Sequence, residues 1–131
     1  MGWIGVDLDG TLAVFRGWQD LNKIGPPIPA MVERVKQWLT EGKVVKIFTA
    51  RVAVNGDLSP GSTRLVSDIE FAARQRCLVQ DWCEEHIGHR LEVTATKDFG
   101  MIELWDDRCI QIIRNVGEPV LSMERQEIKP S

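Results

Sequence analysis

Two carboxylates break and then close a short apolar run near the start of the chain, Trp3-Ile4-Gly5-Val6-Asp7-Leu8-Asp9, and Gly10-Thr11 stops it. Trp3, Ile4, Val6 and Leu8 read as a buried strand of parallel type, because a strand covered on both faces loses polar alternation. Asp7 and Asp9 lie two apart, so on a pleated strand they share a direction. Paired carboxylates at the carboxyl end of such a strand are costly unless a positive group stands between them. In an open α/β sheet, that end is also where ligands bind.

The rest of the chain supplies the partners such a strand needs. Residues 10–28 hold three glycines and the pair Pro26-Pro27, which suits a flap or short hairpin over the strand end. Pro29 then fits a first helical turn, and Ile28, Val32, Val35 and Leu39 form an apolar stripe at helical spacing that Gly42 ends. Val44, Val45, Ile47 and Phe48 predict a second buried strand running into Thr49-Ala50-Arg51. Strand, helix and strand in this order imply a right-handed crossover and parallel neighbours, which brings Thr49 to the edge that carries Asp7.

Residues 52–62 read as a loop near that edge. A long helix follows and ends near His86, with Ser62 as one possible cap and the Ser67/Glu70 capping box as another. Ile69, Ala72, Ala73, Cys77, Trp82 and Cys83 are expected on its buried side. Leu91 to Thr94 and Met101 to Trp105 predict two further strands, the latter ending in Asp106-Asp107, and Ile110, Ile112 and Ile113 suggest a fifth. Residues 117–131 read as a C-terminal tail.

Composition narrows the class. With 131 residues, 44% of them apolar, residues 1–131 read as one globular domain. Sixteen basic against nineteen acidic residues, without a basic cluster, count against a nucleic-acid partner. The three cysteines lack the spacing of a disulfide framework or of a zinc site, and no apolar run approaches the roughly 18 residues of a membrane span. The expectation is a cytoplasmic protein with no membrane partner.

Asp7-Leu8-Asp9-Gly10-Thr11-Leu12, then Ile47-Phe48-Thr49-Ala50-Arg51, then Lys97, then Leu104-Trp105-Asp106-Asp107-Arg108 stand in an order that resembles the four motifs of the haloacid dehalogenase-like phosphohydrolases. The resemblance spans residues 4 to about 113. It implies an α/β, three-layer Rossmannoid fold: a mainly parallel five-stranded sheet of order 3-2-1-4-5, helices on both faces and no large cap domain. The intervals after the first and second motifs leave room for a flap and a loop only.

The resemblance also implies roles. Asp7 would be the nucleophile that takes up a phosphoryl group, since a covalent acyl phosphate divides one slow displacement into two. Asp9 would protonate the leaving alkoxide and then deprotonate the hydrolytic water. Two unit charges about 4 Å apart at an effective dielectric near 20 repel by roughly 4 kcal/mol, so carboxylate and phosphate need a cation between them. Asp7, Asp9 through its main-chain carbonyl, Asp106 and Asp107 offer the oxygen-only set that suits Mg²⁺. Thr49 and the Ala50 amide would hold the phosphoryl oxygens, with Arg51 as a further contact. Lys97 would neutralise developing charge, with Lys43 and Lys46 as alternatives.

The substrate expected from the acidic balance is a small phosphorylated metabolite, with a homo-oligomer closing the open site. Two other readings stand beside it. One is a polynucleotide 3′-phosphatase, since Asp-Asp-Arg also occurs in such domains. The other is a non-catalytic phosphate-sensing module, although response-regulator receivers place their acidic pair after the first strand rather than last. Trp18, in the flap, is a candidate to stack on a substrate.

Overall fold

Strand β1 (Trp3–Val6) is buried along its whole length, and its neighbours explain why. A computed structural model describes residues 2–17, 20–54 and 64–120. After β1 come helix α1 (Pro29–Thr40), strand β2 (Val44–Phe48), a single 3-10 turn (Ala50–Val52), helix α2 (Arg64–His86), and strands β3 (Glu92–Thr94) and β4 (Met101–Trp105). All pairings are parallel and the strand order is β3-β2-β1-β4, so β1 is flanked by β2 and β4.

The α1 stripe packs as its spacing dictates. Pro29 opens the helix with φ already set, and Met31, Val32, Val35 and Trp38 are buried. Gly42, at φ +81°, turns the chain out of the helix toward β2. Trp38 meets Trp105 edge to face with centroids 5.1 Å apart, which ties α1 to the last strand.

The sheet register shows where the helices lie. Ile4 pairs with Val45, Val6 with Ile47 and Ile47 with Val93, so these side chains share one sheet face. The same residues form one core cluster with Val32, Val35 and Trp38 of α1 and with Ala72, Val79, Trp82 and Cys83 of α2. Both described helices therefore cover the same face. Helices on both faces were expected; the reason for the difference is the connection from β3 to β4, residues 95–100, which is too short to hold a helix. On the opposite face Lys46 lies over the Trp3 ring at 4.7 Å and pairs with Glu92.

A fifth strand over Ile110 to Ile113 is likewise not formed. Asn115, at φ 62°, and Gly117, at φ 87°, turn the chain back on itself. Ile112 then bridges Pro119 in an antiparallel sense, and Val120 N–H donates to Gln111 O at 2.7 Å, so this segment pairs with its own continuation instead of with β4. Along α2, Ala72, Trp82 and Cys83 are buried as expected, whereas Ile69, Ala73 and Cys77 are exposed. The two candidate caps of α2 differ in standing: Ser62, most of the 52–62 loop, Trp18 and residues 121–131 lie outside the described residues, and Ser67 lies within α2.

Candidate functional site

Register alone brings the first acidic cluster to the last. Val6 pairs with Trp105, and the next amide along, Asp7 N–H, donates to Trp105 O at 2.9 Å, which places Asp7 beside Asp106. One carboxylate oxygen from each of Asp7, Asp106 and Asp107 lies within 4.8 Å of the others. The Thr11 hydroxyl accepts from Asp107 N–H at 3.0 Å and lies 3.3 Å from Asp7 Oδ2 and 3.4 Å from Asp107 Oδ1. It thus joins the two ends of the motif set.

Gly10 is required by the same geometry. Its φ is +93°, and a Cβ there would stand 2.5 Å from Asp107 Oδ2. Any side chain would displace the carboxylate as well as strain the turn. Asp106 is held from its own loop, its Oδ1 accepting from Arg108 N–H at 2.8 Å.

Three carboxylates this close raise the pKa of the most enclosed one. Burial pushes Asp7 up to about 7, and the charge of Asp106, a hydrogen bond to Asp107 and the charge of Asp107 act in the same direction against a smaller opposing bond from Thr11. A divalent cation fits this donor set on two counts: all its atoms are oxygens, and a positive charge would offset the burial and the neighbouring carboxylates that raise the Asp7 pKa.

Asp9 is directed elsewhere. Arg51 Nε donates to Asp9 Oδ2 at 2.8 Å and Arg51 Nη2 to Asp9 Oδ1 at 2.9 Å, a bidentate pair in which both side chains are less than a tenth exposed. The same guanidinium donates to Gln75 Oε1 and to the carbonyls of Leu21 and Lys23, and Gln75 Nε2 donates to Leu21 O. Arg51, expected to reach the phosphate or the substrate, is buried against Asp9, does not border this acidic cluster's cavity but borders the one under the flap, and ties the flap to α2. The Asp9 side chain is outside the acidic triad, while its main-chain carbonyl is the atom that the metal expectation concerns.

Asp7, Asp9, Thr49, Ala50 and Asp106 line one cavity of about 210 Å³, together with Phe15, Phe48 and Arg108. Thr49 is buried, and its hydroxyl accepts from Arg51 N–H at 3.2 Å, so it also caps the 3-10 turn. Lys97 is exposed in the loop before β4 and does not border this cavity. Of the alternatives, Lys43 pairs with Glu41 and Lys46 with Glu92. Arg108, Phe15, Thr11 and Gln75 were not singled out from sequence. Arg108 and Thr11 carry a signal, since each sits inside a motif, but Phe15 and Gln75 carry none.

A second cavity, of about 430 Å³, lies under the flap, shares Asp9 and Phe15 with the first and is bordered also by Arg51. The flap that roofs it is closed at its base, where Val14 N–H donates to Pro26 O and Ile28 N–H to Leu12 O. Among the described residues no helix is long and apolar enough to cross a membrane.

No family model matches the chain, and no curated protein matches it. A conserved protein coded by a locus of Bacteroides thetaiotaomicron is similar in structure, with a TM-score of 0.50 and 19% identity over 82% of this chain and 77% of that one. That likeness concerns the fold: an α/β architecture with a parallel sheet.

Proposed function

We propose that this chain is a Mg²⁺-dependent phosphomonoester hydrolase of the haloacid dehalogenase-like kind, acting through an aspartyl phosphate on Asp7. The observation that carries the reading is the meeting of Asp7, Asp106 and Asp107 within 4.8 Å, at the rim of a cavity that also holds Asp9 and Thr49. Asp7, Asp106, Asp107 and the Asp9 carbonyl would hold the cation, which supplies neutralisation of phosphate and carboxylate charge when bound.

The chain's own groups would do the rest. A carboxylate oxygen of Asp7 attacks phosphorus as the bond to the leaving oxygen breaks, and Asp9 gives that oxygen a proton. Water then attacks the phosphorus of the acyl phosphate, Asp9 takes its proton, and phosphate leaves with Asp7 restored. Arg51 occupies one lone pair on each Asp9 oxygen, so each retains another for the proton. Thr49 orients a phosphoryl oxygen. Lys97, on a flexible four-carbon stem, and Arg108, at the cavity, supply positive charge to the equatorial oxygens.

Purified protein should hydrolyse p-nitrophenyl phosphate with Mg²⁺, and Asp7→Asn should abolish turnover while the fold persists by circular dichroism. Turnover untouched by that substitution would sink the assignment of the nucleophile. Phosphate binding without turnover across a metabolite panel would favour a sensing module.

A further inference from the structure

We infer that the cavity under the flap is the leaving-group site, and that it selects small phosphorylated metabolites whose leaving group carries a second negative charge. The inference rests on the phosphatase reading and adds the substrate class to it.

Three observations carry it. The first is contiguity: Asp9 and Phe15 line both the 210 Å³ acidic cavity and the 430 Å³ flap cavity. A phosphomonoester with phosphorus at Asp7 and its body under the flap has its bridging oxygen at the junction. That is where Asp9, the proton donor, stands.

The second is charge. Arg16 and Lys23 border the flap cavity, and among the described residues neither makes an ion pair. Asp20 borders the same cavity, its Oδ1 accepting from Asn22 N–H at 2.9 Å. Asp9 is neutralised by Arg51. The phosphoryl end of the site is thus acidic and suited to a cation, while at the flap end Arg16, Lys23 and Arg51 outweigh Asp9 and Asp20, a net positive lining for whatever fills it.

The third is that the wall is preformed. Arg51 and Gln75 fix the carbonyls of Leu21 and Lys23 from behind, so this cavity keeps its shape without a ligand. A volume of about 430 Å³ falls in the range of roughly 300–1,000 Å³ that holds a small molecule. Phe15, Ile24 and Pro26 give it an apolar side for a carbon skeleton.

The test uses matched pairs. The carboxylate arm compares 3-phosphoglycerate with glycerol 3-phosphate, and the phosphate arm compares glucose 1,6-bisphosphate with glucose 6-phosphate. At least one pair should favour the doubly anionic member by about tenfold or more in kcat/KM, and the arm that does so identifies the second group. In the double variant Arg16→Gln/Lys23→Gln that ratio should fall to within about threefold of unity. Calorimetric binding to Asp7→Asn should show the same preference in Kd and the same loss, which separates binding from turnover.

Ratios near unity for both pairs in the natural protein, or a ratio that the double variant leaves unmoved, overturn the inference. So does a 3′-phosphorylated oligonucleotide hydrolysed faster than every metabolite. If p-nitrophenyl phosphate is not hydrolysed but the binding preference and its loss persist in Asp7→Asn, the phosphatase reading fails and the flap anion site stands.

Discussion

Both carboxylate oxygens of Asp9 are held by the buried guanidinium of Arg51, at 2.8 and 2.9 Å, and that guanidinium also grips the flap through the carbonyls of Leu21 and Lys23. The residue read as the general acid and base is therefore fixed to the element that roofs the neighbouring cavity. Loss of Arg51 strands a buried carboxylate, Gln75 Oε1 and the Lys23 carbonyl together. Arg51→Ala is expected to cost about 3–5 kcal/mol, the range for breaking a buried ion pair from one side. Urea unfolding of the two proteins measures it, and Arg51→Lys, which keeps charge but not the planar fork, should recover only part of the loss.

Asp7 makes stability depend on pH. Its carboxyl titrates near 3.8 in an unfolded chain and near 7 in the metal-free fold, so between those values the folded state binds the extra proton. The resulting stability is fully present below pH 3.8 and is lost as pH rises through about 7. Metal-free protein should accordingly show a thermal midpoint that falls between pH 5 and pH 8. Asp7→Asn should flatten that slope.

The acidic triad predicts a metal response. Added Mg²⁺ should raise the thermal midpoint at pH 8, and Asp106→Asn and Asp107→Asn should each reduce the rise. Removal of the ion by a chelator, or loss of Asp106, should lower kcat by about 100-fold or more, as loss of a transition-state charge stabiliser does. A midpoint that no divalent cation moves would count against the triad as a metal site.

Gly10→Ala tests the packing of the two motif ends. The new methyl would meet Asp107 Oδ2 at 2.5 Å in a backbone conformation of φ +93°. An unfavourable left-handed backbone alone costs about 1–3 kcal/mol. Denaturation should show at least that, together with a loss of the Mg²⁺-induced shift because Asp107 is displaced.

The two cations proposed to act on the phosphoryl group should separate kinetically. Arg108 borders the cavity; a charge-assisted hydrogen bond from it to the phosphate would be worth about 1.5–3 kcal/mol, so Arg108→Ala should raise KM about tenfold or more. Lys97→Ala should act on kcat, by about 100-fold, if its charge is spent on the transition state. Steady-state kinetics on p-nitrophenyl phosphate decides both.

The sequence by itself determined what local chemistry can determine. The apolar run ending at Asp7, the stripe of α1 with Pro29 before it and Gly42 after it, and the runs over Val44–Phe48 and Met101–Trp105 each state their own structure through periodicity and breakers. Parallel crossovers then bring Asp7, Thr49 and Asp106 to one edge, because strands of a parallel sheet end on the same side.

Only the tertiary structure decided the rest. Whether Ile110 to Ile113 joins the sheet depends on the turn at Asn115 and Gly117, which lets the segment pair with its own continuation. That no described helix covers the other face follows from a β3 to β4 connection too short for one. That Arg51 pairs with Asp9 follows from burial, since a guanidinium withdrawn from water takes the carboxylate and carbonyls that surround it. Those partners come from residues 9, 21, 23 and 75, far apart along the chain, and folding alone brings them together.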